Sequence, residues 1–140
     1  MNLGELIAKL HRNILFELKQ VAKLYNLTMS QFLCIISIPY EGISQTHLAN
    51  KLSVDISTLS RNLDKLYKKK ILKKVIDYPD KRVTKIFLTV EGNTLNIELL
   101  NHLNNNLSYL INDNTIHQIL IDQLSELNWQ LLQHQSNEGI

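Results

Sequence analysis

One arginine placed just beyond two small hydroxyls is the chemistry this sequence offers most plainly. Ser57, Thr58 and Arg61 lie in ISTLSRNLDKLYK, with Lys65 and Lys68 one and two turns further on if the stretch is helical. At about 100° per residue, Ile56, Leu59, Leu63, Leu66 and Tyr67 gather on one third of the circumference, opposite Ser57, Thr58, Arg61, Lys65 and Lys68. Short hydroxyls let a helix backbone come close to another surface. A guanidinium can hold two acceptors at once, on a guanine edge or on a phosphate. Lysines are flexible point charges better suited to phosphates. Ser60 falls nearer the apolar edge, so its part in such a face is secondary. The plain alternative is a solvated helix face.

A second cationic group follows at once. Asp80-Lys81-Arg82 sits between ILKKVID and RVTKIFLT, two runs rich in β-branched and aromatic residues with a period of two. Two cations at the tip of an exposed ribbon, with Asp80 spaced to hold the Arg82 stem outward, suit the negative potential of a narrow minor groove. Lys73 and Lys74 on the first strand, and Ser44 and Thr46 upstream, are further phosphate candidates. Charge is distributed accordingly. Between Lys51 and Lys85 stand eleven basic residues and four acids, and after Lys85 there are six acids and no Lys or Arg. A basic middle between neutral and acidic ends points to a polyanion for the middle alone.

Helices must position these groups. Apolar residues recur at helical spacing from Leu3 to about Tyr25, a stripe too long for a small domain to bury by itself. Thr28 and Gln31 form a capping box for a second helix, with Leu27 and Phe32 as its hydrophobic staple. Pro39 ends that helix and Glu41-Gly42 makes a turn. Ser44 caps a short third helix that runs to about Leu52. Ser53-Val54-Asp55 then links it to the arginine-bearing helix, with Asp55 as N-cap. A short helix, a tight turn and a longer helix make a helix-turn-helix, with Ala49 permitting close approach. After the ribbon, Leu95, Leu99, Leu103, Leu107 and Leu110 mark a long helix. Asn112-Asp113-Asn114 breaks it and caps a last one with a stripe of Ile116, Leu120, Leu124, Leu127 and Leu131.

Other chemistries find little support. The chain of 140 residues has one cysteine, Cys34, which excludes an internal disulfide and a cysteine zinc site. Its setting in FLCIIS favours a buried packing role, although a redox signal entering at Cys34 is an alternative. His11, His47, His102, His117 and His134 show no ligand spacing, so no metal is expected. No glycine-rich phosphate loop or nucleophile-base motif is present, so neither an enzyme nor a cofactor is expected. The start of the chain has no leader pattern, and no segment approaches the roughly 20 apolar residues of a membrane span. The expectation is a soluble, cytoplasmic protein.

From Ser44 to Gly92 the sequence resembles the MarR-type winged helix-turn-helix regulators. LANKL, DISTLSRNLDKL, the wing signature DKR and FLTVEG carry the resemblance. It implies a mainly α fold with a small β-hairpin wing and flanking dimerisation helices. Residues 28–92 would be the DNA-binding winged helix, and 1–27 with 93–140 the helical dimerisation region, of one 140-residue regulator domain. It further implies a homodimer with a recognition helix in each of two successive major grooves. Ser57, Thr58, Ser60 and Arg61 would face DNA, while Arg82, oriented by Asp80, enters the minor groove. The implied function is a transcriptional regulator of repressor type on a pseudo-palindromic operator in double-stranded DNA. A small-molecule effector between the dimer helices and the winged domains could change the spacing of the two recognition helices. The chain departs from the pattern at Lys70, where the family has glycine, and at Val75 and Ile76, where it has arginine and proline. A winged helix whose basic face meets an acidic protein is the competing reading.

Overall fold

The structure, a computed structural model, describes residues 1–76 and 84–138. Among the described residues six helices and three strands follow one another: α1 (Leu3–Leu24), α2 (Met29–Ser37), β1 (Ile43–Ser44), α3 (Gln45–Leu52), α4 (Ile56–Lys68), β2 (Leu72–Ile76), β3 (Thr84–Leu88), α5 (Val90–Leu110) and α6 (Asn114–Asn137). The fold is mainly helical with a small antiparallel sheet, as expected.

Caps start the helices where the sequence placed them. The Thr28 hydroxyl accepts from the Gln31 amide at 3.1 Å while the Gln31 side chain accepts from the Thr28 amide, also at 3.1 Å, completing the box. Ser44 Oγ accepts from the His47 amide at 3.2 Å, and Asp113 takes the amides of Thr115 and Ile116.

The helix ends carry a less expected feature. Asn26, Ser53 and Lys70 all adopt the left-handed conformation, with φ of 55°, 55° and 60°. Each belongs to the same pair of hydrogen bonds. Leu27 N–H donates to Ala22 C=O, Val54 to Ala49 and Ile71 to Leu66, while Asn26, Ser53 and Lys70 donate to Lys23, Asn50 and Tyr67. This is the Schellman closure of α1, α3 and α4, made three times without glycine. Asparagine tolerates the conformation well, whereas lysine gains no side-chain compensation for it.

The sheet has three strands in the order β1-β3-β2, one more than the hairpin read from sequence. Ile43 and Ser44 pair with Ile86 and Lys85, so Ser44 serves both as a strand residue and as the cap of α3. Gly42, at φ 79°, lies against the Phe87 ring, which would sit 2.6 Å from an added Cβ. Phe32, Ile35, Leu48, Leu59, Leu63, Leu66, Ile86 and Leu99 are fully buried. Each contributes at most about 1.5–3 kcal/mol of burial energy.

Two compact units divide the chain, Met1–Leu103 and Asn104–Ile140. The first holds the core and the sheet. The start of α5 is fastened within it: Thr89 N–H donates to the Ile71 carbonyl at 2.9 Å, and its hydroxyl reaches the Lys70 carbonyl at 2.7 Å. Gly92 packs so closely on this junction that an added Cβ would lie 2.1 Å from Ile71 O. In the second unit α6 has no buried residue, and Ile116, Leu120, Leu124 and Leu131 of its stripe are exposed. No helix among the described residues is long and apolar enough to cross a membrane.

Candidate nucleic-acid interface

The first turn of α4 is organised by one carboxylate. Asp55 is the N-cap, and its Oδ1 accepts from the Thr58 amide at 2.7 Å and from the Ser57 hydroxyl at 2.7 Å. The Ser57 hydroxyl first, then the Thr58 amide, hold the Asp55 carboxyl down to about 2. Because the Ser57 proton is committed to Asp55, Ser57 Oγ meets a partner as an acceptor. That suits the amino group of an adenine or cytosine edge better than a phosphate.

Arg61, Lys65 and Lys68 are exposed along the same helix, and Leu59, Leu63 and Leu66 anchor its other side in the core. Thr58 and Ser60 are half-buried. Ser60 therefore flanks the exposed face, as its place on the wheel suggested. Tyr67 is half-buried and carries Lys74, whose ammonium stands 4.8 Å from the ring centroid. Burial, helped by the Asp64 charge, pushes the Tyr67 phenol up to about 12, so the ring under Lys74 stays neutral.

Strand alternation separates the two strand lysines. Lys74 pairs with Ile86 and faces α4, whereas Lys73 pairs with Phe87 on the opposite face. There Lys73 lines a cleft of about 450 Å³ with Tyr40, Glu41, Phe87 and Asn93. Of the candidates proposed for phosphate, Lys74 thus joins the α4 surface and Lys73 does not. Thr46 is exposed and Ser44 half-buried at the start of α3. The wing-tip residues Asp80, Lys81 and Arg82 lie outside the described residues.

Residues 27–84 match the sequence model of the MarR family. Over that stretch the chain is similar to the MarR family. Solved MarR-family structures share its fold over nearly the whole chain. The transcriptional regulator BldR from Sulfolobus solfataricus is 26% identical, with a TM-score of 0.74 over 91% of this chain and 93% of its own. Wild-type apo MarR from E. coli is 24% identical, with a TM-score of 0.76 over 91% and 96%. A MarR transcriptional regulator from Methanosarcina mazei is 22% identical, with a TM-score of 0.75 over 93% and 96%. No curated protein sequence matches significantly.

Three features of this surface escaped the sequence reading. The Ser57–Asp55 hydrogen bond was within reach, because hydroxyl and cap are two residues apart. The Lys74–Tyr67 contact needed the register of β2 against α4. Ile56, expected in the apolar stripe, is 49% exposed. Cys34 is 1% exposed, and burial pushes its thiol up to about 11. A thiol so placed is protonated near neutral pH and a poor redox sensor.

Proposed function

We propose that this transcriptional regulator acts as a homodimer on double-stranded DNA, binding a pseudo-palindromic operator sequence-specifically as a repressor. The observation that carries the reading is the exposed hydroxyl-and-arginine face of α4, held rigid by the Asp55 cap and backed by buried leucines. Such a helix end fits a major groove. Arg61 with Ser57 and Thr58 would read bases. Lys65, Lys68 and Lys74 would take phosphates, with Lys81 and Arg82 engaging the wing side and Asp80 orienting Arg82. Ser60, Ser44, Thr46 and Lys73 are lesser contacts.

Dimerisation is supported by apolar residues left in solvent. Leu3, Leu6, Ile7 and Leu10 of α1 are exposed, as is the stripe of α6. Helices of this length with unburied stripes call for a partner, and a second copy supplies matching ones. Response to a small-molecule effector, and a place in the cytoplasm, belong to the proposal on family grounds. Nothing in the chain calls for an enzymatic role.

Selection of bound sequences from a random duplex pool tests the whole reading. An inverted repeat with half-sites about one helical turn apart is the expected product. Affinity should fall steeply with salt as counterions are released. Arg61→Ala should cost about 1–3 kcal/mol on the selected site and relax preference at one base pair. Equal loss on selected and scrambled duplexes would remove Arg61 from base reading. No binding to random duplex at low salt would favour the protein-binding module.

A further inference from the structure

The face of the sheet turned away from α4 carries the cleft that Lys73 lines, and its residues are fixed around one ring. Lys73 is directly opposite Phe87 in the β2–β3 register, so the two side chains stand next to each other on that face. Glu41 lies in the turn that the Gly42 N–H closes on the Pro39 carbonyl at 3.0 Å, and Gly42 itself packs on the Phe87 ring. Tyr40 from the same turn, with Val90 and Asn93 from the start of α5, completes a space of about 450 Å³. Small-molecule sites occupy roughly 300–1,000 Å³. Tyr40 and Val90, 91% and 80% exposed, are the most exposed large apolar residues among those described. One such residue on a surface is ordinary. Here both line the same cleft.

The two charges decide what fits. Lys73 and Glu41 are exposed and, among the described residues, neither forms an ion pair. A phosphate or a simple carboxylate would be drawn to Lys73 and repelled by Glu41, and an amine would meet the reverse. An uncharged ligand would take water from both and return little. A free α-amino acid carries both charges on one carbon. Its carboxylate can take the Lys73 ammonium and its ammonium the Glu41 carboxylate, with the Asn93 amide able to serve either. Its side chain is then left to Phe87, Tyr40 and Val90, which suit an apolar or aromatic group. We infer that this cleft binds a free α-amino acid with an aromatic or branched apolar side chain. The inference goes beyond the DNA-binding reading and does not depend on it.

The full chain, labelled with nitrogen-15 and free of DNA, is titrated with L-phenylalanine and L-leucine to millimolar concentration while amide chemical shifts are followed. Saturable shifts at Gly42, Lys73, Phe87 and Asn93 are expected. Phenylpropionate lacks the ammonium and phenethylamine lacks the carboxylate, and each should bind about tenfold more weakly than phenylalanine, the worth of one charge-assisted hydrogen bond. Lys73→Met should weaken phenylalanine by a similar factor without weakening phenethylamine. Glu41→Gln should weaken phenylalanine without weakening phenylpropionate. Both side chains are exposed, so the variants should retain the wild-type circular dichroism. Shifts that are absent from these four amides overturn the inference. Equal affinity for phenylalanine and phenylpropionate overturns it too, leaving a plain carboxylate site, as does unchanged phenylalanine affinity in both variants. None of these results touches the DNA-binding reading, which falls instead if the random duplex pool yields no bound sequence.

Discussion

Replacing Lys70 by glycine should make the protein more stable, although it removes a side chain. Lys70 closes α4 at φ 60°, donating its amide to the Tyr67 carbonyl while Ile71 N–H reaches the Leu66 carbonyl. An L-residue in this conformation sets Cβ against the following carbonyl at a cost of roughly 1–2 kcal/mol. Glycine escapes that cost but gives the unfolded chain more freedom, which returns about 0.4–1 kcal/mol. The net gain for Lys70→Gly is then about 0.5–1 kcal/mol, or about 2–4 °C in Tm for a chain of this size. Urea unfolding at fixed protein concentration is the assay, because dimerisation would couple stability to concentration. Lys70 also stands among Lys68, Lys69, Lys73 and Lys74, so loss of charge alone could stabilise. Lys70→Ala separates the causes, since it removes the charge and keeps Cβ. If Lys70→Ala stabilises as much as Lys70→Gly, like-charge repulsion is the cause and the backbone argument is refuted. A destabilised Lys70→Gly refutes it outright.

Gly92→Ala should destabilise by more than about 2 kcal/mol, because its Cβ would meet the Ile71 carbonyl, a backbone atom tied to Thr89; a loss under about 0.5 kcal/mol in urea unfolding would contradict the packing. Cys34 should resist iodoacetamide in the native protein and react at once in denaturant, with mass spectrometry as the readout. Its folded pKa lies above the unfolded one, so its contribution to stability is intact below about pH 9 and is lost as pH rises toward about 11; alkaline denaturation of Cys34→Ala should lack that component. The Asp55 carboxyl is depressed to about 2, so the cap is intact above its ordinary range and lost only as pH falls from about 4 toward 2. Asp55→Asn should keep the Tm near neutral pH and Asp55→Ala should lower it; equal Tm values would show that the cap contributes nothing.

What the sequence alone determined is what depends on near neighbours. The capping box at Thr28 and Gln31, the caps at Ser44, Asp55 and Asp113, and the buried run Leu59, Leu63 and Leu66 were all legible. A cap joins residues three apart and a stripe repeats within four, so local composition specifies them. Those same local rules carried the hydroxyl-and-arginine face of α4 and its helix-turn-helix setting. Tertiary structure decided the rest. β1 is two residues long and exists because Ile43 and Ser44 pair with Ile86 and Lys85, some forty positions away. Lys73 and Lys74 are neighbours in sequence, and only the pleat of a strand fixed against α4 sends them to opposite faces. Lys70 runs against backbone preference, so no propensity could announce its left-handed turn; the hydrogen bonds that close α4 impose it. Ile56 matches the period of the buried leucines and still faces water. A helical wheel assigns direction, while burial needs another element in that direction, and at the N-terminal end of α4, before Leu59, the core has already ended.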